Sequence, residues 1–326
     1  MPARLALRFT YVSIDDGAQV SKRQQRAREH AAQVLKAKQA AEARRKRILY
    51  AGTAVAVVLV IFVVLIVVKV SSGGKSSAPQ AEVSGAAADS VITEVTSVPA
   101  SVLDTVGAGT VQTLPSVLKG QAVLSDSGKP LVLYVGAEYC PFCAAERWAV
   151  VVALSRFGTF TNLKLSSSSS DDVFPSTPTL SFYGATYTSQ YLTFQGVETQ
   201  SNKHSGQGYA PLQQLTPAQA SLLQKYNAAP YVPSDSAGSI PFVDFADQAV
   251  ISGASYSPQV LAGKSQADVA AAIKDPTSDI SKSIGGTANA ISALLCKLTG
   301  GQPATVCTGT AVTAYNGKFD GVASKQ

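Results

Sequence analysis

Apolar and polar positions divide this chain into stretches of very different character. Ser21–Arg47 (SKRQQRAREHAAQVLKAKQAAEARRKR) is rich in Ala, Gln, Arg and Lys and free of Gly and Pro, which predicts a solvated or interfacial helix. Ile48–Val68 is an uncharged apolar run of 21 residues, the length that crosses a hydrocarbon core of roughly 30 Å. A secretory leader has a shorter apolar region nearer the N-terminus and a small-residue cleavage site, whereas this run starts at residue 48 and ends at Lys69. The expectation is one membrane anchor. Ser71–Ser90 (SSGGKSSAPQAEVSGAAADS) has too few large apolar residues for a core and reads as a flexible tether within 69–90. Residues 91–326 hold no second tether of that length and no internal repeat, so one outer domain is expected.

Within that domain the periodicity changes from segment to segment. Leu131–Ala137 (LVLYVGA) is a short continuous apolar run of the kind found in a strand buried on both faces. Ala144–Gly158 then reads as a helix closed by a glycine. Leu163–Leu165 can open a strand, and SSSSSDD is a polar loop. Thr179–Phe194 is rich in Thr, Tyr and Phe and predicts a β-hairpin around Gly184. Thr216-Pro217-Ala218-Gln219 has the form of a capping box with Pro at the first helical position, opening a helix to about Tyr226. Ser239–Ala254 predicts two strands joined at Asp247-Gln248, with helices over Ser265–Lys274 and about Gly285–Leu298. Strands interleaved with helices define an α/β domain.

Charge orients the chain. Residues 1–47 carry 12 Lys/Arg against 4 Asp/Glu, leaving 15 against 17 for the remainder. The basic cluster ends in ARRKR at the apolar run, and only Lys69 and Lys75 lie close on the other side. The excess of cations places the N-terminus in the cytoplasm and everything after Lys69 outside. The basic tail is suited to anionic lipid headgroups, or simply to fixing topology. The slightly acidic outer domain gives no reason to expect nucleic acid as a partner.

All four cysteines, Cys140, Cys143, Cys296 and Cys307, lie on the outer side, where an even count suggests two disulfide-capable pairs. Cys140 and Cys143 stand in strand–CxxC–helix order. The first cysteine then falls at a helix N-terminus, where free N–H groups and the helix dipole favour a thiolate. The second lies one turn in, within reach to resolve a mixed disulfide, and Pro141 suits the first helical position. Cys140 is therefore the candidate nucleophile and Cys143 the resolving thiol. A zinc site needs four ligands, but the other cysteines are spaced CKLTGGQPATVC and only His204 lies outside the membrane. Copper would want Met or His beside the motif, and the sole Met is Met1. No metal or cofactor is expected. An inert structural disulfide remains compatible with the spacing. Cys296 and Cys307, separated by Gly-Gly and Pro, read most simply as a structural disulfide worth roughly 3 kcal/mol by loop closure.

At these residues the sequence resembles the thioredoxin superfamily, in LVLYVGAEYCPFC as strand and active-site turn and in a later strand that begins at a proline. The resemblance implies a cis-proline facing the dithiol, with neighbouring backbone that pairs with substrate. Pro241 in SIPFVDF, preceded by Ile240, is the favoured candidate because a hairpin and helices follow it; Pro178 in TPTLSF competes. The chain also resembles a narrower group of membrane-anchored proteins, the DUF929 family, in VPASVLDTVGAG, YVGAEYCPFCAAERWAVVVALSRFG, YTSQYLTF, IPFVDF and ANAISALLCKLTGGQPATVC. That likeness spans about residues 93–307 and implies a thioredoxin-like domain outside the membrane, with no established substrate. One departure stands out: where thioredoxin has a buried acid six positions before the first cysteine, this chain has Tyr134. Glu138 and Glu146 are the acids near the motif in sequence, and either could serve instead; Arg147 follows on the same helix. Trp148 reads as core, and Tyr139 and Phe142 as an apolar docking surface beside the sulfurs.

The leading expectation is a thiol–disulfide oxidoreductase anchored in a plasma membrane by one helix, acting outside on exported proteins that carry cysteines, with a redox partner the sequence does not identify. The rival is a binding or scaffold module whose disulfides are both structural, with residues Ser166–Tyr231 as its binding face. A hydrolase is unsupported, since the single outer histidine has no visible nucleophile partner.

Overall fold

A computed structural model describes residues 85–324. The expected basic tail and membrane-spanning run lie outside them, and among the described residues no helix is long and apolar enough to cross a membrane. The chain is a mixed α/β protein.

Helix α1 (Ala86–Thr96) starts inside the stretch read as a tether, because alanines there favour helix and Val91 and Val95, one turn apart, are both buried. After α2 (Ala100–Val106) come three strands, β1 (Ser116–Val117), β2 (Ser125–Asp126) and β3 (Lys129–Gly136). Helix α3 (Pro141–Ser155) follows β3 directly. Next are β4 (Thr159–Thr161), β5 (Lys164–Ser167), β6 (Pro178–Ser181), β7 (Thr186–Thr188) and β8 (Thr193–Glu198). A hairpin of β9 (Gln200–Ser205) and β10 (Gly208–Pro211) leads to α4 (Pro217–Tyr226). The chain ends with β11 (Phe242–Phe245), β12 (Ala249–Ser252), α5 (Gln266–Ile273), α6 (Asp279–Leu298), α7 (Ala304–Cys307) and α8 (Thr310–Thr313).

The main sheet runs β1-β12-β11-β3-β8, and β2 pairs with the first residues of β3. β3 is parallel to β8 and antiparallel to β11, which is antiparallel to β12. Alternation along β3 serves two cores. Val132 and Tyr134 face α3 and α6, whereas Leu133 and Val135 face α4. Helix α3 is buried from Cys143 to Leu154 on every side, so it is an internal helix rather than an amphipathic surface one.

Several local expectations need correction. Thr179–Phe194 is not a hairpin. Although Gly184 turns the chain at φ 78°, β6 pairs with β5, β7 with β4, and β8 with β3. Residues Ser166–Tyr231 are not one segment appended to the sheet either, because β8 belongs to the main sheet and α4 covers it. Gly158 does not close α3 through a left-handed turn; the helix ends at Ser155 with Arg156 as its C-cap, and a Cβ on Gly158 would stand 2.4 Å from the Thr188 carbonyl. The last long helix starts at Asp279 rather than near Gly285, because Ser278 caps it. At Thr216 the capping box is present in full, with Gln219 reciprocating.

Candidate active site

The end of β3 delivers the chain to the turn Gly136–Cys140, and α3 begins at once. Cys140 is the N-cap residue, and its sulfur takes the place usually held by a Ser or Asp oxygen by accepting the Cys143 N–H at 3.3 Å. Pro141 occupies the first turn, where no N–H is needed. Both cysteines are free thiols. Cys140 retains 6% of its surface and Cys143 none, so only the first can meet another molecule.

The two thiols are electrostatically unlike. The Cys143 thiol, its N–H and the nearby Arg147 hold the Cys140 pKa below its ordinary value against the effect of burial. Burial, then the hydrogen bond and charge of Cys140, push Cys143 well above its ordinary value. This is the asymmetry required of an attacking and a resolving thiol.

Opposite the sulfurs, the Ile240–Pro241 bond is cis and the Cys140 Sγ lies 3.7 Å from the Ile240 carbonyl oxygen. Pro178 is remote from this role. Its peptide bond is trans, it opens β6, and its carbonyl accepts the Trp148 indole N–H at 2.9 Å. Trp148 is fully buried in the core. Beside the turn, the Tyr139 ring stacks on Tyr209 at 4.2 Å, and Tyr209 stacks on His204 at 4.7 Å. His204 meets Asp171 at 2.8 Å in an exposed pair. Phe142 is an exposed aromatic residue and packs edge-on against Phe174 at 5.7 Å. The loop before β6 and the β9–β10 hairpin therefore flank the turn, the first through Ser169 N–H to the Tyr139 carbonyl and the second through Glu138 N–H to the Gln200 carbonyl.

The acids near the motif take separate roles. Glu138 accepts from the Ser181 hydroxyl at 2.5 Å and stays half-buried. Glu146 is fully buried and bonds Ser255, whose N–H and hydroxyl it accepts at 2.8 and 3.0 Å; burial lifts its carboxyl to about 7. Arg147 is fully buried, donating from Nε and Nη2 to Glu198 at 2.8 and 2.7 Å. Glu198, at the end of β8, was not singled out in the sequence. Its one signal is an acid closing an apolar strand segment, and the register that sets it opposite Gly136 appears only in the folded sheet.

Cys296 and Cys307 form a disulfide joining α6 to α7. A cleft of about 440 Å³ lies against it, lined in part by Tyr315 and Phe319 and distinct from the CxxC turn. Among the described residues no three His, Cys, Asp or Glu side chains gather where they could hold a metal.

Sheet, buried helix and asymmetric dithiol together define an α/β protein with a CxxC at a helix N-terminus. The DUF929 domain of unknown function matches residues 118–297, more than half of the chain, and the protein belongs to that family. No curated protein and no solved structure matches it.

Proposed function

We propose that the protein is a membrane-anchored thiol–disulfide oxidoreductase with a thioredoxin-like outer domain, acting on exported proteins that contain cysteines. The observation that carries this is the inequality of the two thiols: a narrowly accessible Cys140 stabilised toward thiolate at a helix N-cap, and an enclosed Cys143 held as thiol. The order strand, CxxC, helix, proline-led strand, hairpin and helices supports the thioredoxin-like reading. The apolar run at 48–68 with its basic flank supports the anchor and the outward orientation.

In the reducing direction the Cys140 thiolate attacks one sulfur of a substrate disulfide. A Cys140–substrate disulfide forms, and the other substrate sulfur leaves as thiolate. Cys143, losing its proton, attacks Cys140 Sγ and releases the second substrate thiolate. The dithiol has then lost two electrons to the substrate and become a disulfide; the reverse sequence oxidises a substrate dithiol. Tyr139, Pro141, Phe142 and the Ile240 carbonyl surround the point of attack and form the substrate contact surface in this reading.

The small exposure of Cys140 favours one other reading, a scaffold module with an inert CxxC. Thiol trapping of the protein across a glutathione series separates the two. A midpoint within the series, with Cys140 alkylated first, is the expected result. A pair that remains oxidised below about −300 mV behaves as a structural bond and rejects the oxidoreductase.

A further inference from the structure

Arg147 lies one helical turn beyond Cys143 and two beyond Cys140, so the three share a face of α3. Its Nη2 donates to the Ala137 carbonyl at 2.7 Å, and that same carbonyl accepts the Cys140 N–H at 3.2 Å. The guanidinium thus holds the turn that carries the nucleophile. Glu198 grips its other edge in a two-point pair. Among the described residues the buried Nη1 of Arg147 has no hydrogen-bond partner, and neither has the buried hydroxyl of Tyr134, whose ring centre is 5.9 Å from Arg147 Cζ. Tyr134 is itself wedged beneath the turn: a Cβ on Gly136 would come within 2.4 Å of its hydroxyl oxygen, so residue 136 must be glycine for the ring to fit.

A buried donor left unpaired is destabilising, and neutral packing would have avoided it. Its unpaired edge is also a source of positive potential in a region of low dielectric. The groups on this helix face that gain negative charge during exchange are the two sulfurs.

We infer that Arg147 is the positioning residue of the dithiol: it clamps the Ala137–Cys140 turn, and its unpaired edge stabilises negative charge on the sulfurs to an extent set by Glu198. This rests on the thiol–disulfide reading above. It predicts opposite effects from the two partners. Removing the charge of Glu198 leaves more positive potential at the dithiol and favours the reduced, thiolate-bearing form. Removing both charges leaves less and favours the disulfide.

The test uses the full chain with two variants. Glu198→Gln keeps an acceptor for Arg147, while Arg147→Met/Glu198→Met replaces the pair by apolar side chains of similar volume, an exchange that buried ion pairs often tolerate. Two quantities are read: the pH at which Cys140 alkylation is half-maximal, and the equilibrium constant with glutathione. Glu198→Gln should lower that pH and shift the equilibrium about tenfold toward dithiol. The double variant should raise the pH and shift the equilibrium the other way. Shifts of the same sign, or both within twofold of the parent, overturn the inference, since a purely structural pair would produce them. If the parent never exchanges with glutathione, the oxidoreductase reading fails, while the alkylation midpoints still decide the role of Arg147.

Discussion

Glu146→Gln should stabilise the protein in mildly alkaline solution and leave it unchanged in acid. Among the described residues no cation bonds Glu146; its only partner is Ser255, which fills both oxygens. Burial raises the carboxyl from 4.5 to about 7, against the pull of those two bonds. Each unit corresponds to roughly 1.4 kcal/mol, so the shift is worth about 3 kcal/mol. The native state binds this proton more tightly than the unfolded chain does. The associated stability is therefore complete below pH 4.5 and lost as pH rises through about 7. A glutamine carries no charge to desolvate, and its amide can still serve the Ser255 N–H. Urea unfolding of variant and parent at pH 5 and pH 8 isolates the effect, because other titrating groups cancel in the difference. The variant should gain up to about 3 kcal/mol at pH 8 and little at pH 5. An equal difference at both pH values would show that Glu146 does not change its protonation, and the argument would fail.

Cys143→Ser should trap a Cys140–substrate disulfide on non-reducing gels, whereas Cys140→Ser should trap none. Alkylation of Cys140 in the reduced protein should reach half-maximum below the pH of an ordinary thiol, as its lowered pKa requires. Replacing Cys296 and Cys307 by serine should lower unfolding free energy by about 3 kcal/mol for an 11-residue separation while leaving the Cys140–Cys143 midpoint unchanged. Thr216→Ala should cost about 1 kcal/mol in urea unfolding by opening the capping box of α4.

What the sequence made legible was local. The CxxC, the strand before it and the helix after it follow from a short apolar run and a proline. The capping box at Thr216 was readable because its partners lie three residues apart. The local misses were helix boundaries, as at Ser278, whose hydroxyl caps a helix beginning at Asp279; the misses that bear on the site involve distant pairing. Thr179–Phe194 carries a hairpin signature, but its strands find other partners, since β-propensity names a strand and not its neighbour. Glu198 gained meaning only when β8 came to lie parallel to β3, 62 residues away at the Gly136–Glu198 pair. The Tyr139–Tyr209–His204 stack likewise joins the CxxC turn to a hairpin with no motif of its own.

Helix α3 explains why these distant contacts matter to the chemistry. A helix buried on all sides satisfies packing with Ala, Val, Leu and Trp, and this one does so from Trp148 to Leu154. Its first two turns break the pattern with two buried ionisable side chains, each directed to a different element. Glu146 ties the helix to Ser255, in the segment where Gly253 N–H bonds the Pro241 carbonyl. Arg147 ties it to β8 and to the Ala137 carbonyl. The two sides of the cysteine turn are thus fixed by polar contacts that an apolar core could not supply, because apolar packing is not directional. Such contacts are expensive unless every partner is in place. Buried ionisable side chains lie within one helical turn of Cys143 and none follows them along α3, which connects the least favourable part of the core with the cysteine turn.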